Sequence, residues 1–189
     1  MKNFILLLSA MAWLTACSNN PSVPERNATD TTVQSKQNTV PGDSKFLSDA
    51  AEGSMMELVM GQYASGHATD QRLKDYGALI TAQQKQMLEQ VRTMAEVRKV
   101  ALPDTVNKEH LKLLVFLTPR GGNIFDSTYM SETIRHQKEL ASLYDDVIKT
   151  GTDTEVKTYA RESLPLIMNH LLRLITIRDS INIKKPVKR

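Results

Sequence analysis

From about residue 45 to residue 181, apolar side chains return every third or fourth position in stretches far longer than strands. No competing run alternates with period two. One stripe reads Phe46, Ala50, Gly53, Met60 and Ala64, and a second Leu73, Tyr76, Ile80, Met87, Val91 and Met94. A third holds Met130, Ile134, Ala141, Tyr144 and Ile148, and a fourth Val156, Ala160, Ile167, Leu174, Ile177 and Ile181. Each is the inward face of an amphipathic helix. Asp43 or Ser44 is placed to cap a first helix over 45–65, which Gly66 ends. Asp70 caps a second that runs to about Val100, stopped by Leu102-Pro103. A short amphipathic piece spans 106–117, Asp126 caps a long helix to Thr150, and Asp153 caps the last to Ile181. Pro165 falls inside that last helix and predicts a bend there. The expected fold is all-α: an antiparallel up-down-up-down four-helix bundle with a short extra helix between the second and third long helices.

Length and charge narrow the function classes. The 189 residues suit one domain, and 41% hydrophobic with 24% charged residues is ordinary for a globular chain. A net charge of +3 is too balanced for a nucleic-acid surface. Aromatic content of 5% offers no platform for stacking bases. No nucleic-acid partner is expected.

The first residues carry a different message. Lys2 precedes an apolar stretch from Phe4 to Leu14, shorter than the ~20 residues a spanning helix needs. Leu14-Thr15-Ala16-Cys17 then resembles the lipobox of bacterial lipoproteins, which implies lipidation of Cys17 after removal of residues 1–16. Cys17 is the chain's one cysteine, so no intrachain disulfide explains it. Residues 17–44 read as a lipidated cysteine followed by a flexible tether rich in Pro, Ser, Thr, Asn and Asp. Residues 45–182 are the helical domain, and 183–189 a basic tail. Ser18 stands where an aspartate would retain an enterobacterial lipoprotein in the inner membrane, so the expected location is the outer membrane, facing the periplasm.

Each long helix carries one polar residue within its apolar stripe: Glu57, Gln84, Gln137 and His170. Counted from the turns near residues 68 and 152, the four fall at similar heights, so they are expected to form one layer in the core. Three readings are open: a mutually hydrogen-bonded structural layer, residues that face solvent, or a ligand or metal site. Glu57 and His170 are good ligand types, whereas amides are poor ligands for transition metals, and no Glu-x-x-His pair occurs. The structural reading is preferred, with Glu57 and His170 satisfied by the glutamines. His136 points about 100° away from Gln137 and is expected in solvent. His67 and His110 have no acid or cysteine at ligand spacing. No catalytic triad, phosphate loop or dinucleotide turn is present, so no catalytic residue and no cofactor is expected. Gly121-Gly122 follows no strand and reads as a turn.

Several short motifs fall in an order that resembles the bacterial exported family called domain of unknown function 4142. They are Phe46-Leu47-Ser48-Asp49-Ala50-Ala51-Glu52-Gly53 with Glu57 and Gly61, then Leu102-Pro103, then Phe125-Asp126-Ser127-Thr128-Tyr129-Met130. Gly151-Thr152-Asp153, Leu164-Pro165 and His170 complete the set. The resemblance implies a ferritin-like four-helix arrangement. Members often carry Asp-His pairs on the second and third long helices, where this chain has Gln83-Gln84 and His136-Gln137. Glu57 and His170 still match.

The expected function is therefore a membrane-anchored periplasmic lipoprotein with a non-catalytic helical domain and a binding or envelope-stress role. The alternative is a metal-binding or redox protein using Glu57 and His170. A third possibility is an envelope protein partner docking on an exposed stripe of Met56, Met60 and Tyr63.

Overall fold

The computed structural model describes residues 41–182, all within one unit of the chain. Among them are five helices and no strand: α1 (Pro41–His67), α2 (Gln71–Arg98), α3 (Lys108–Leu117), α4 (Gly122–Thr150) and α5 (Thr154–Asn182). Cys17, the tether up to residue 40 and the basic tail lie outside the described residues. No helix among those described is long and apolar enough to cross a membrane.

Short polar side chains set most helix ends. The Asp70 carboxylate accepts from the Arg72 amide at 2.9 Å and caps α2. Lys99 closes α2 in the left-handed region, at φ 55°. Asn107 accepts from the amides of Glu109 and His110 to start α3, and Asp153 accepts from Glu155 and Val156 to start α5. Pro165 and Arg161 are both exposed, so the carbonyl that Pro165 leaves without a helical partner belongs to a solvent-side residue.

Two acids expected as helix caps do other work. α1 begins at Pro41, not at residue 45, because proline at the first helical position forfeits no hydrogen bond. Residues 41–44, expected in the tether, are therefore helical. Asp43 is buried and reaches across to the α4–α5 turn, accepting from the Thr152 hydroxyl at 2.7 Å and the Asp153 amide at 3.1 Å. α4 begins at Gly122, so Asp126 lies inside it and caps nothing of its own. Its buried carboxylate accepts from the Thr69 and Asp70 amides, each at 2.9 Å, and clamps the α1–α2 turn. Replacing Asp126 by Ala strands both amides. Stability should fall by ~1–3 kcal/mol, read as a lower urea midpoint.

These clamps also fix the helix directions. Asp126 sets the start of α4 beside the α1–α2 turn, and Asp43 sets the start of α1 beside the α4–α5 turn. Arg98, at the end of α2, holds Asp153 at the start of α5 through two 2.8 Å bonds. Thus α1 and α5 run one way and α2 and α4 the other. The expected up-down-up-down alternation is corrected to up, down, down, up. The physical reason is the connection after α2: residues 99–121, with α3 among them, return the chain to the far end before α4 begins. α1 packs on α2 and α4, and α5 packs on α4 and α2.

The core lies in two apolar clusters. One holds Phe46, Leu47, Met87, Val91, Tyr144, Val156 and Ile167 near the α4–α5 turn. The other holds Met60, Leu73, Ile80, Phe125, Met130, Leu174 and Ile177 near the α1–α2 turn. Met56 and Met60 are buried in the second cluster, so the exposed docking stripe expected on α1 does not exist. Residues of α3 and α4, among them His110, Leu113 and Thr133, lie around those methionines.

Candidate functional site

Glu57, Gln84, Gln137 and His170 are each at most 1% exposed. In sequence each falls between residues of the two apolar clusters, so a polar stratum divides the core. The solvent-facing reading of these four is excluded. Buried Tyr76, Tyr129, Thr133 and His136 are further polar members of the interior.

Glu57 is central. Burial pushes its carboxyl up to about 8, with a smaller opposing effect from the nearby Gln137 amide. At neutral pH it is therefore a protonated acid. Burial likewise raises the phenols of Tyr76 and Tyr129, and any charge on Glu57 would raise them further. Glu57 thus lies within electrostatic range of both tyrosines. Glu57 Oε2, the Tyr76 and Tyr129 hydroxyls, Thr133 Oγ1 and both amide atoms of Gln84 and Gln137 lack a hydrogen bond of full geometry. Gln137 still lies close enough to lower the values of Glu57 and Tyr76, so those contacts are long rather than absent.

His170 belongs to the stratum through an unexpected partner. Its Nε2–H donates to Gln83 Oε1 at 2.6 Å, one residue before the expected Gln84. Its buried Nδ1 makes no hydrogen bond. Burial, aided by the Arg173 charge, lowers His170 to about 4 and keeps it neutral. No hydrogen bond or ion pair joins Glu57 to His170: the one faces His136 and the other Gln83.

The sequence reading missed His136. Expected in solvent, it is 7% exposed. Its Nε2 lies 3.4 Å from the Gly53 carbonyl, to which it donates, and 3.8 Å from Glu57 Oε1. Gly53 makes this approach possible: a Cβ there would stand 3.7 Å from His136 Nε2 and 2.6 Å from Leu140 Cδ2. The outer side of His136 is covered by His110, whose ring meets it edge-on at 5.0 Å. His110 in turn donates from Nδ1 to Glu52 Oε1 at 2.6 Å, and the same carboxylate accepts from the Asn107 amide. His110 thus does have an acid partner, 58 residues away, where a search for local spacing does not look. Burial first, then the neighbouring His110, lowers His136 to about 4. His67 only stacks on Tyr63 and bonds its carbonyl oxygen.

At neutral pH the inner stratum is thus uncharged: a carboxylic acid, neutral imidazoles, amides and phenols. That is the state in which burial costs least. The gap bounded by Met56, Glu57, Met60, His110, Thr133 and His136 leaves no room for a water molecule. Among the described residues, no three or more His, Cys, Asp or Glu side chains group in a way that would hold a metal ion.

No curated protein and no solved structure matches the chain. A family model does match, over residues 28–177, which spans all of α1 to α4 and most of α5. By that match the chain belongs to the family described as a domain of unknown function, DUF4142.

Proposed function

We propose that this chain is a lipid-anchored protein of the bacterial envelope, held by Cys17 and presenting a non-catalytic, ferritin-like four-helix bundle with a binding or stress-associated role. The observation that carries the non-catalytic part is the closed, neutral stratum around Glu57. Its polar groups are buried, burial keeps its acid protonated, and the gap between Glu57 and His136 has no room for a water molecule. A catalytic acid or base has to meet its substrate. The lipobox sequence supports the anchor and the helix directions support the ferritin-like order. Two measurements test the reading. Cells fed an alkyne-tagged fatty acid should label the wild-type chain and leave Cys17→Ser unlabelled; equal labelling of both removes the anchor. The purified protein should hold no stoichiometric metal and show no peroxidase or ferroxidase turnover.

The second reading, a metal or redox protein using Glu57 and His170, draws support from their unpaired buried atoms, Oε2 and Nδ1. His170→Ala separates the two. On the metal reading, metal affinity collapses. On the structural reading the loss is confined to stability, ~1–3 kcal/mol from the stranded Gln83 and the emptied space.

A further inference from the structure

α3 is ten residues long, and six of them are Leu, Val or Phe. Leu113, Leu114 and Leu117 turn inward against the core. Leu111, Val115 and Phe116 remain 43%, 71% and 48% exposed. α3 thus carries large apolar side chains on its outer as well as its inner side, and the protein covers only the inner ones. Ile124, in the first turn of α4, is 66% exposed at the same end of the molecule. That end is tied together where the Tyr63 hydroxyl of α1 donates to the Thr118 carbonyl.

The outer face of α3 is also basic. Lys108, Lys112 and Phe116 form one i, i+4 row beside the row of Leu111 and Val115. Both lysines are exposed, and the Arg120 guanidinium lies over the Phe116 ring, 3.2 Å from its centroid. Glu109 is the one acid from 108 to 124, against Lys108, Lys112 and Arg120; Asp104, before α3, and Asp179, near the end of α5, are exposed acids beyond that row. α5 finishes at this end too, with Ile181 packed on the same cluster as Tyr63 and Leu114. In sequence Lys184, Lys185, Lys188 and Arg189 follow.

Lysine is depleted from the centres of protein interfaces, whereas its long apolar stem and charged head suit a lipid headgroup layer. We propose that the outer face of α3, with the adjoining start of α4, docks on an anionic bilayer. Leu111, Val115, Phe116 and Ile124 enter the acyl boundary, and Lys108, Lys112 and Arg120 meet lipid phosphates. This contact is separate from the anchor at Cys17 and does not depend on it.

Spin labels test it in the full chain carrying Cys17→Ser, attached at Val115→Cys or Ile124→Cys, with Val97→Cys and Leu172→Cys as controls. Val97 and Leu172 are each 63% exposed and lie on α2 and α5. On phosphatidylcholine vesicles containing phosphatidylglycerol, labels at 115 and 124 should become accessible to oxygen and shielded from a water-soluble nickel chelate. The controls should stay open to the chelate. K108E/K112E should lower the docked fraction by about tenfold or more, at a few-fold per charge. Labels at 115 and 124 that remain open to the chelate would overturn the proposal. So would equal insertion into pure phosphatidylcholine, or shielding that rises with protein concentration in the absence of vesicles, which marks a second copy as the occupant.

Discussion

Stability of the folded chain should peak near pH 6.5 and decline on both sides. Three buried groups set the shape. Glu57 titrates at about 8 in the fold against 4.5 as a free side chain, so between those values the folded state holds a proton the unfolded state has released. Stability from this group is complete below 4.5 and is lost as pH rises to 8. His136 and His170 run the other way. Each titrates near 4 in the fold against 6.5 free, so their contribution is present above 6.5 and lost as pH falls to 4. From 6.5 down to 4.5 two histidines oppose one acid, and the net slope is ~1.4 kcal/mol lost per pH unit. From 6.5 up to 8 the acid acts alone, with a similar slope of opposite sign. Glu57→Gln keeps a neutral hydrogen-bonding group of the same shape and removes the ionisation. The variant should lose the alkaline decline and exceed the wild type at pH 8 by several kcal/mol, of order 3–5. Urea denaturation between about pH 5 and 9 reads both limbs. A wild type that grows more stable from pH 6.5 to 8, or a Glu57→Gln chain destabilised there, would show that Glu57 is a paired carboxylate.

A single methyl group should have opposite effects at two glycines of the α1–α2 hairpin. Gly77 of α2 lies against Gly61 of α1, and a Cβ on Gly77 would stand 2.6 Å from the Gly61 carbonyl oxygen and 2.8 Å from the Ser65 amide. Both obstacles are backbone, so relief requires the helices to separate. Alanine gains up to ~1 kcal/mol of helix propensity over glycine. Overpacking costs ~1–3 kcal/mol and more where backbone must move, so the clash wins. Gly77→Ala should lose ~2–4 kcal/mol net. Gly66, in the last turn of the same α1, has open space where its Cβ would go. Gly66→Ala should gain up to ~1 kcal/mol. Thermal melts of the pair decide it: equal shifts would mean that the α1–α2 contact is not held at backbone distance.

The burial of Glu57, Gln84, Gln137 and His170 was legible because helical spacing alone places them in line with apolar neighbours. Their partners were not. Gln83 is one position off the stripe, yet His170 is long enough to reach it. His136 lies on a flank that would be wet on an isolated pair of helices. It is dry because α3 lays His110 over it and because Gly53 lets α4 come close. Glu52 and His110 are 58 residues apart, and nothing local marks them as a pair. Asp43 and Asp126 looked like caps by position, but their carboxylates serve turns more than fifty residues away.

Hydrophobic period and short polar caps act over a few residues, so the chain's own order of amino acids dictated the helices, the apolar faces and the inward polar residues. The resemblance of Leu14-Thr15-Ala16-Cys17 to a lipobox is likewise a matter of adjacent residues. Direction and neighbourhood depend on where the long connection after α2 delivers the chain. Only tertiary structure could therefore set α4 parallel to α2, cover His136 and close the stratum around Glu57. Contacts between distant segments gain their free energy from packing that exists only once all the helices are in place.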